Sequence, residues 1–286
     1  MTDASLRTDG PRPDGPRPDR PRIAVIGLGA MARSIAGSLP RGPEGLRLGA
    51  ALVRPGSGPE AEAEAARLGM TLFRDVAALI GWGPDLAVEC AGHGAVRDAV
   101  PALLEAGVPT VVVSIGALGD AGLRARLEAA AAGGGRLTVA SGAIGGLDIL
   151  RTGGRAGLSR VVYRGVKPPA AWKGSPAEAA VDLDALTEPT VFFEGTAAEA
   201  SARYPKNANV TAAVALAGIG FEATRVSLVA DPAATGNRHE VEGEGAFGSF
   251  RVALENAALP DNPRTSWLAA LSVEEAIASH FRSARY

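Results

Sequence analysis

Three histidines and one cysteine are the scarce reactive side chains of this 286-residue chain. His239 sits where the turn sequence Thr235-Gly236-Asn237-Arg238 enters the alternating segment Glu240-Val241-Glu242-Gly243-Glu244. Imidazole has an ordinary pKa suited to proton transfer near neutrality, so His239 is the candidate base. His93 lies in Ala91-Gly92-His93-Gly94, the loop after the apolar segment Leu86-Ala87-Val88-Glu89-Cys90. It reads either as a residue facing a cofactor or as an ordinary loop histidine. His280 falls in an amphipathic C-terminal stretch and reads as a surface or packing residue. Scattered histidines and a lone Cys90 give no zinc spacing, so no metal is expected. Two further clusters carry polar chemistry. Lys167-Pro168-Pro169-Ala170-Ala171-Trp172-Lys173-Gly174 joins rigid prolines and an aromatic to two ammonium groups suited to a carboxylate. Tyr204-Pro205-Lys206-Asn207-Ala208-Asn209-Val210 leads into a helix, with Asn207 or Asn209 near its cap.

A third pattern names a ligand class. Arg22-Ile23-Ala24-Val25-Ile26 is a run of strand formers, and Gly27-Leu28-Gly29-Ala30-Met31-Ala32 follows it directly. Gly-x-Gly-x-x-Ala between a strand and a helix is the dinucleotide fingerprint. Gly27 permits the tight turn, Gly29 lets the backbone approach a pyrophosphate, and Ala32 lets helix and sheet pack closely. The helix N-terminus offers unpaired N–H groups to the phosphates. With 37 glycines in the chain the motif alone is weak, so the strand–turn–helix context carries the assignment to NAD or NADP. The second strand ends in Arg54-Pro55-Gly56-Ser57, where NAD-preferring folds place a carboxylate for the ribose 2′-hydroxyl. A guanidinium suits a 2′-phosphate instead, so NADP is expected to be accepted, alongside NAD. An amide at Asn207 or Asn209 caps its helix alone or also binds the nicotinamide carboxamide.

The elements that must position these residues alternate regularly. Strands are expected at 22–26, 46–53, 71–73, 86–90, 110–114 and 136–140. Helices are expected at 31–39, 61–68, 95–106 and 118–132, with caps at Asp75 and Asp120. Alternation of this length implies an α/β fold with a Rossmann-type doubly wound parallel sheet. After 141–148 the pattern changes to strands at 160–166, 190–194, 223–229, 240–244 and 248–254. Only 209–216 and the last segment look helical, so a second α+β domain with a mostly antiparallel sheet is expected. The domains read as 22–143, completed by a C-terminal helix in 264–286, and 144–263. Residues 1–21 contain a tandem Gly-Pro-Arg-Pro-Asp repeat and read as a disordered, Pro-rich tail.

A chain 47% hydrophobic and 21% charged suits a globular protein with two cores. A net charge of −2 gives no electrostatic case for nucleic acid or an anionic membrane. The longest apolar runs are too short to span a bilayer, and no secretory leader is apparent. A single cysteine excludes an intramolecular disulfide and is compatible with the cytoplasm.

Taken together, the segments 27–31, 89–93, 141–148, 167–174, 204–210 and 235–239 resemble the L-aspartate dehydrogenase family. They run in order over nearly everything after residue 21, and the combination is specific although no single piece is. The resemblance implies a Rossmann domain and a central domain that also forms a homodimer interface. It implies NAD(P)-linked oxidative deamination of L-aspartate to iminoaspartate, then oxaloacetate and ammonia, or the reverse amination. By the resemblance His239 is the active-site residue, and Ala143 and Asn209, with Asn207 as an open neighbour, contact the cofactor. Gly27, Gly29, Ala30, Met31, Arg54, Cys90, Ala91, Gly92 and His93 complete the expected cofactor set. Lys173, Lys206 and Arg238 are the candidate cations for the two substrate carboxylates. A related imine or aldehyde reductase, similar to dihydrodipicolinate reductase or homoserine dehydrogenase, is the alternative. A non-catalytic NADPH-binding sensor is another.

Overall fold

The structure, a computed structural model, describes residues 20–259 and 262–283. The Pro-rich tail expected at the N-terminus lies outside the described residues up to position 19. Six strands form one all-parallel sheet: β1 (Ile23–Ile26), β2 (Leu48–Leu52), β3 (Thr71–Phe73), β4 (Leu86–Glu89), β5 (Thr110–Val112) and β6 (Leu137–Val139). Their order is β3-β2-β1-β4-β5-β6, the doubly wound arrangement. The crevice where such sheets bind ligands falls between β1 and β4, at the reversal of strand order. Every residue of β1 and β4 is buried, as strands covered on both faces must be.

The connecting helices are α1 (Ala30–Ser38), α2 (Pro59–Arg67), α3 (Val76–Trp82), α4 (His93–Asp98), α5 (Val100–Glu105) and α6 (Ala121–Ala131). Asp75 and Asp120 cap α3 and α6, accepting from Ala78 N at 2.8 Å and Leu123 N at 3.0 Å. The single helix expected over 95–106 is two helices. Pro101 has no N–H for the Arg97 carbonyl, which accepts from Arg126 Nη1 at 3.3 Å instead. The helix expected from 118 begins at Ala121, after a 3-10 turn over Ile115–Gly119.

The second sheet contains β7 (Leu158–Lys167), β8 (Thr190–Thr196), β9 (Arg225–Ala230), β10 (Asn237–Gly245) and β11 (Gly248–Asn256), in the order β11-β10-β7-β9-β8. Only β7 and β9 pair in parallel. Three helices accompany it: α7 (Leu147–Gly153), α8 (Ala197–Arg203) and α9 (Ala208–Ala217). Residues of α8 and α9 pack with Tyr163, Phe193, Val226, Leu228 and Val241 from one face of the sheet. Neither α7 nor α8 was expected. At seven residues each they are too short to show a periodic apolar stripe. The α8 start was nevertheless legible as Thr196-x-x-Glu199, which forms a reciprocal capping box.

A short ribbon of β12 (Ala258–Leu259) and β13 (Asn262–Ser266) then feeds α10 (Trp267–Phe281). Val273 and Ile277 of α10 are buried in one cluster with Ile23, Val25 and Ile35, so the C-terminal helix returns to the parallel sheet. Ser38 Oγ donates to Glu274, and Arg282 pairs with Glu44 at 2.6 Å and Glu275 at 2.8 Å.

Candidate active site

A cleft of about 1210 Å³ opens along the carboxyl ends of β1, β2 and β4. The glycine turn forms its floor. Gly27 has φ +93°, and a Cβ there would stand 2.8 Å from the Ala91 Cβ. A Cβ on Gly29 would meet nothing within 4 Å, so the backbone there faces open space. Gly29 begins α1 without a side-chain cap, leaving helix N–H groups for an anion. Ala30 and Met31 form the first turn of that helix. At the far end stand Arg54, Ser57, Arg67 and Arg74. Arg67 is held by Glu64 in two bonds of 2.8 Å, and Arg74 pairs with Glu62 at 3.0 Å. The Arg54 guanidinium is exposed and unpaired among the described residues. Length, glycine floor, helix N-terminus and a free guanidinium fit a dinucleotide.

The opposite wall is built by the loop after β4. Glu89, fully buried at the strand end, organises it. Its Oε1 accepts from Ala91 N (2.8 Å), Gly92 N (2.7 Å) and Ser114 Oγ (2.9 Å), and its Oε2 from Ser114 N (3.0 Å). One carboxylate thus joins the loops after β4 and β5. Sequence reasoning passed over Glu89 as a site residue, although a carboxylate closing an apolar strand was a readable signal. Cys90 is half-buried, and desolvation followed by the Glu89 charge pushes its thiol well above the ordinary range. The thiol therefore keeps its proton near pH 7. His93 begins α4 and lines the cleft. Burial, then Arg97, lowers its pKa. Gly116 approaches closely: a Cβ on it would stand 2.7 Å from His93 Nε2 and 2.9 Å from Ala208 Cβ. Gly116 N donates to Asn209 Oδ1 at 2.9 Å, so the start of α9 is tied to the cleft wall at His93.

His239 lies on β10, 3% exposed. Register sets it opposite Gly165 of β7. Its Nδ1 is 2.8 Å from the Tyr163 hydroxyl, and the two rings stack with centroids 6.0 Å apart. Burial, then the Lys167 charge, pushes His239 down to about 3, so the ring is neutral near pH 7. Lys167 ends β7; burial pushes it down to about 8. Its Nζ donates to Asn207 Oδ1 at 2.6 Å and lies 5.1 Å from the Trp172 ring centroid. Trp172 is buried and fixed by its Nε1–H to the Val229 carbonyl at 3.0 Å. The Lys167 charge thus acts on His239, its amine bonds Asn207, and Asn209, two residues on, bonds Gly116, which packs against His93 in the cleft. Asn207 precedes α9 without capping it; its amide serves Lys167.

Other expected residues stand elsewhere. Lys173 is exposed and paired with Asp184 at 2.5 Å, in a surface depression with Glu178 and Asp182. Of the two lysines in the 167–174 cluster, only Lys167 acts on His239, through its charge. Arg238 neighbours His239 in sequence, but strand alternation turns it to the opposite face of the sheet. There its Nε lies 3.1 Å from Glu240 Oε1. Lys206 lies in the turn with Asn207, and its side chain is outside the described residues. Ala143 is buried at the seam between the sheets, its carbonyl accepting from Asn256 Nδ2 at 2.9 Å. Tyr163 was missed because an apolar reading of β7 places it in the core, where it also belongs. Among the described residues no group of His, Cys, Asp and Glu is placed to hold a metal ion, and no helix is long and apolar enough to cross a membrane.

A doubly wound parallel sheet with a glycine-floored cleft that fits a dinucleotide, beside a mixed sheet carrying a buried imidazole, is the arrangement of a nicotinamide-dependent oxidoreductase. Residues 148–280 match the family model described as aspartate dehydrogenase, C-terminal, and residues 27–140 match homoserine dehydrogenase, NAD binding domain. The chain is 50% identical over 257 residues to an L-aspartate dehydrogenase of Ruegeria pomeroyi, covering 90% of this chain and 91% of the relative. It is 45% identical over 260 residues to that of Cupriavidus necator, covering 89% and 96%. The crystal structure of aspartate dehydrogenase from Thermotoga maritima superposes with TM-score 0.72 at 24% identity, covering 93% of this chain and 99% of that one. This chain belongs to the aspartate dehydrogenase family.

Proposed function

We propose that this protein interconverts L-aspartate with iminoaspartate, hence oxaloacetate and ammonia, using NAD or NADP. The observation that carries the reading is a buried imidazole at His239 within reach of the Lys167 charge, with the Lys167–Asn207 and Asn209–Gly116 hydrogen bonds leading from that lysine toward His93 in the cleft. When bound, the nicotinamide supplies the hydride acceptor. The protein must do the rest. An α-ammonium has no lone pair to form a C=N bond, so one proton must leave the substrate nitrogen. His239 faces the reacting carbon, and Lys167 with Lys206 supplies positive charge for a dicarboxylate. Asn209 and Ala143 hold the nicotinamide side, and Gly27, Gly29, Ala30 and Met31 the pyrophosphate. Cys90, Ala91, Gly92 and His93 form the facing wall.

The free guanidinium of Arg54 supports NADP use alongside NAD. Residues 22–143 with 264–286 form the nucleotide unit in this reading, and 144–263 the substrate and dimerisation unit. The face of the second sheet turned away from α8 and α9 supports a homodimer. It carries Arg164, whose Nε is buried without a partner among the described residues, beside Glu240 and Glu242. A dimer of this kind sediments at twice 28.9 kDa, and Arg164→Glu returns it to one copy. A single half-buried thiol suits the cytoplasm, where the imine product can feed pyridine nucleotide synthesis.

The test is a substrate panel followed by absorbance of the reduced nicotinamide. Oxaloacetate plus ammonia should oxidise NADH or NADPH, and L-aspartate should reduce the oxidised forms. Turnover confined to a cyclic imine or an aldehyde would replace aspartate with the substrate of a related reductase.

A further inference from the structure

Strand alternation places Tyr163, Gly165 and Lys167 on one face of β7, and register sets His239 beside the middle one. The imidazole is therefore bracketed by a phenol on one side and an amine on the other. Gly165 makes this possible, because a Cβ there would stand 2.7 Å from the Tyr163 hydroxyl. Tyr163 is 2% exposed, and a buried phenolic hydrogen needs an acceptor. Among the described residues the acceptor it has is His239 Nδ1, at 2.8 Å. Burial raises the Tyr163 pKa, so the phenol keeps its hydrogen to donate. A ring that accepts at Nδ1 carries its own hydrogen on Nε2. Such a ring has no idle lone pair: one is committed to Tyr163, and Nε2 presents N–H.

The amine on the other side has what the imidazole lacks. Lys167 Nζ gives one N–H to Asn207 Oδ1, and the face of Trp172 lies beside it. Among the described residues no carboxylate pairs with it. The titratable groups around it are His239 on β10, Tyr163 on its own strand, and Asp231 at the end of β9. Asp231 accepts from Ala233 N at 2.9 Å, and its backbone N–H donates to the Lys167 carbonyl at 2.9 Å. A desolvated amine of this kind releases its proton near physiological pH, as burial makes lysines do.

We propose that Lys167 is the proton acceptor of this site, and that His239, locked by Tyr163, acts as a neutral Nε2–H donor to a substrate oxygen. This rests on the aspartate dehydrogenase reading above. In the oxidative direction an N–H bond of the α-ammonium breaks and its proton bonds to the Nζ lone pair. The freed nitrogen pair becomes the second bond of C=N as the Cα–H pair leaves with its hydrogen for the nicotinamide. In the reverse direction the Lys167 ammonium returns the proton. His239 polarises a carboxylate or carbonyl oxygen throughout and changes no protonation state.

Two measurements test the division of labour. The first needs no cofactor. ¹⁵N NMR of the side-chain nitrogens, assigned by loss of signal in His239→Asn, should show Nε2 protonated and Nδ1 bare, and Tyr163→Phe should redistribute the tautomers. A proton on Nδ1 in the wild type overturns the assignment. The second is the pH profile of kcat for aspartate oxidation. It should rise with pH through about 8, as Lys167 loses its proton. Lys167→Ala should lose about 10²–10⁴-fold in kcat and lose that limb, and added small primary amines should restore part of the rate. His239→Asn should be slowed and keep the limb. A limb that survives in Lys167→Ala and vanishes in His239→Asn makes the imidazole the base and ends the proposal. A wild type inactive on aspartate with the expected tautomer overturns the reaction, and Lys167's part in it, but not the Tyr163–His239 lock.

Discussion

An imidazole enclosed by packed side chains is valuable for its shape and its hydrogens more than for its charge. His239 makes few contacts with water, one bond to Tyr163, and faces the Lys167 charge. Replacing it with Asn keeps a polar group of similar reach but loses the ring geometry. His239→Asn should lower kcat by about 10²–10³-fold, the scale for losing one preorganised donor, while cofactor affinity, measured by fluorescence titration, stays within a few-fold. Comparable losses in both would mean that the residue supports the cleft instead of the chemistry. Arg54 is the opposite case, an exposed side chain whose worth lies in its charge. Arg54→Asp should weaken NADPH binding by at least tenfold relative to NADH, because a carboxylate repels a 2′-phosphate and accepts from a 2′-hydroxyl. Equal losses for both cofactors in the same titration would remove Arg54 from 2′-phosphate recognition.

Elements turn these residues into a site, and the glycine turn shows two demands in three positions. Gly27 holds a positive φ and lies against Ala91, so Gly27→Ala strains backbone and contact together. Gly29 has an ordinary φ of −76° and open space beyond it. Gly29→Val should leave the melting temperature nearly unchanged and abolish dinucleotide binding, whereas Gly27→Ala should lower both. Calorimetry with and without cofactor separates them, and a Gly29 variant that binds normally would place the pyrophosphate elsewhere. This turn was fully legible in the sequence, as were β1, β3, β4 and the caps at Asp75 and Asp120, because each depends on neighbours a few residues away. The His239 environment was legible only in part. Its strand was readable from alternation, but Tyr163 and Lys167 meet it through a register set by β7 and β10 over more than seventy residues. Glu89 escaped for a related reason: its four donors come from two loops that only the parallel sheet brings together. Lys173 looked equivalent to Lys167 until the turn at Pro168 and Pro169 separated a buried amine from a surface one.

At the scale of the whole molecule, two sheets meet at residues 142–143. Gly142 N donates to Ser272 Oγ of α10 at 3.0 Å, and Asn256 at the end of β11 donates to the Ala143 carbonyl at 2.9 Å. The C-terminal helix and the second sheet thus hold adjacent residues, Gly142 and Ala143, so unfolding should be one cooperative event reporting on both halves. His239 then makes that event pH-dependent. Its folded pKa of about 3 lies below the ordinary 6.5, so between these values the unfolded chain binds a proton that the folded chain refuses. Stability rises with pH wherever the unfolded state binds more protons. The neutral ring is therefore fully tolerated above about 6.5, and stability is lost as pH falls from there toward 3. His239→Asn lacks this titration. Urea denaturation at pH 7 should show the variant less stable than the wild type, since packing around the ring is lost. At pH 4.5 the gap should narrow or reverse, because only the wild type must exclude a proton. A gap that stays constant between those pH values would mean the imidazole titrates alike in both states, and so is not sealed between Tyr163 and Lys167.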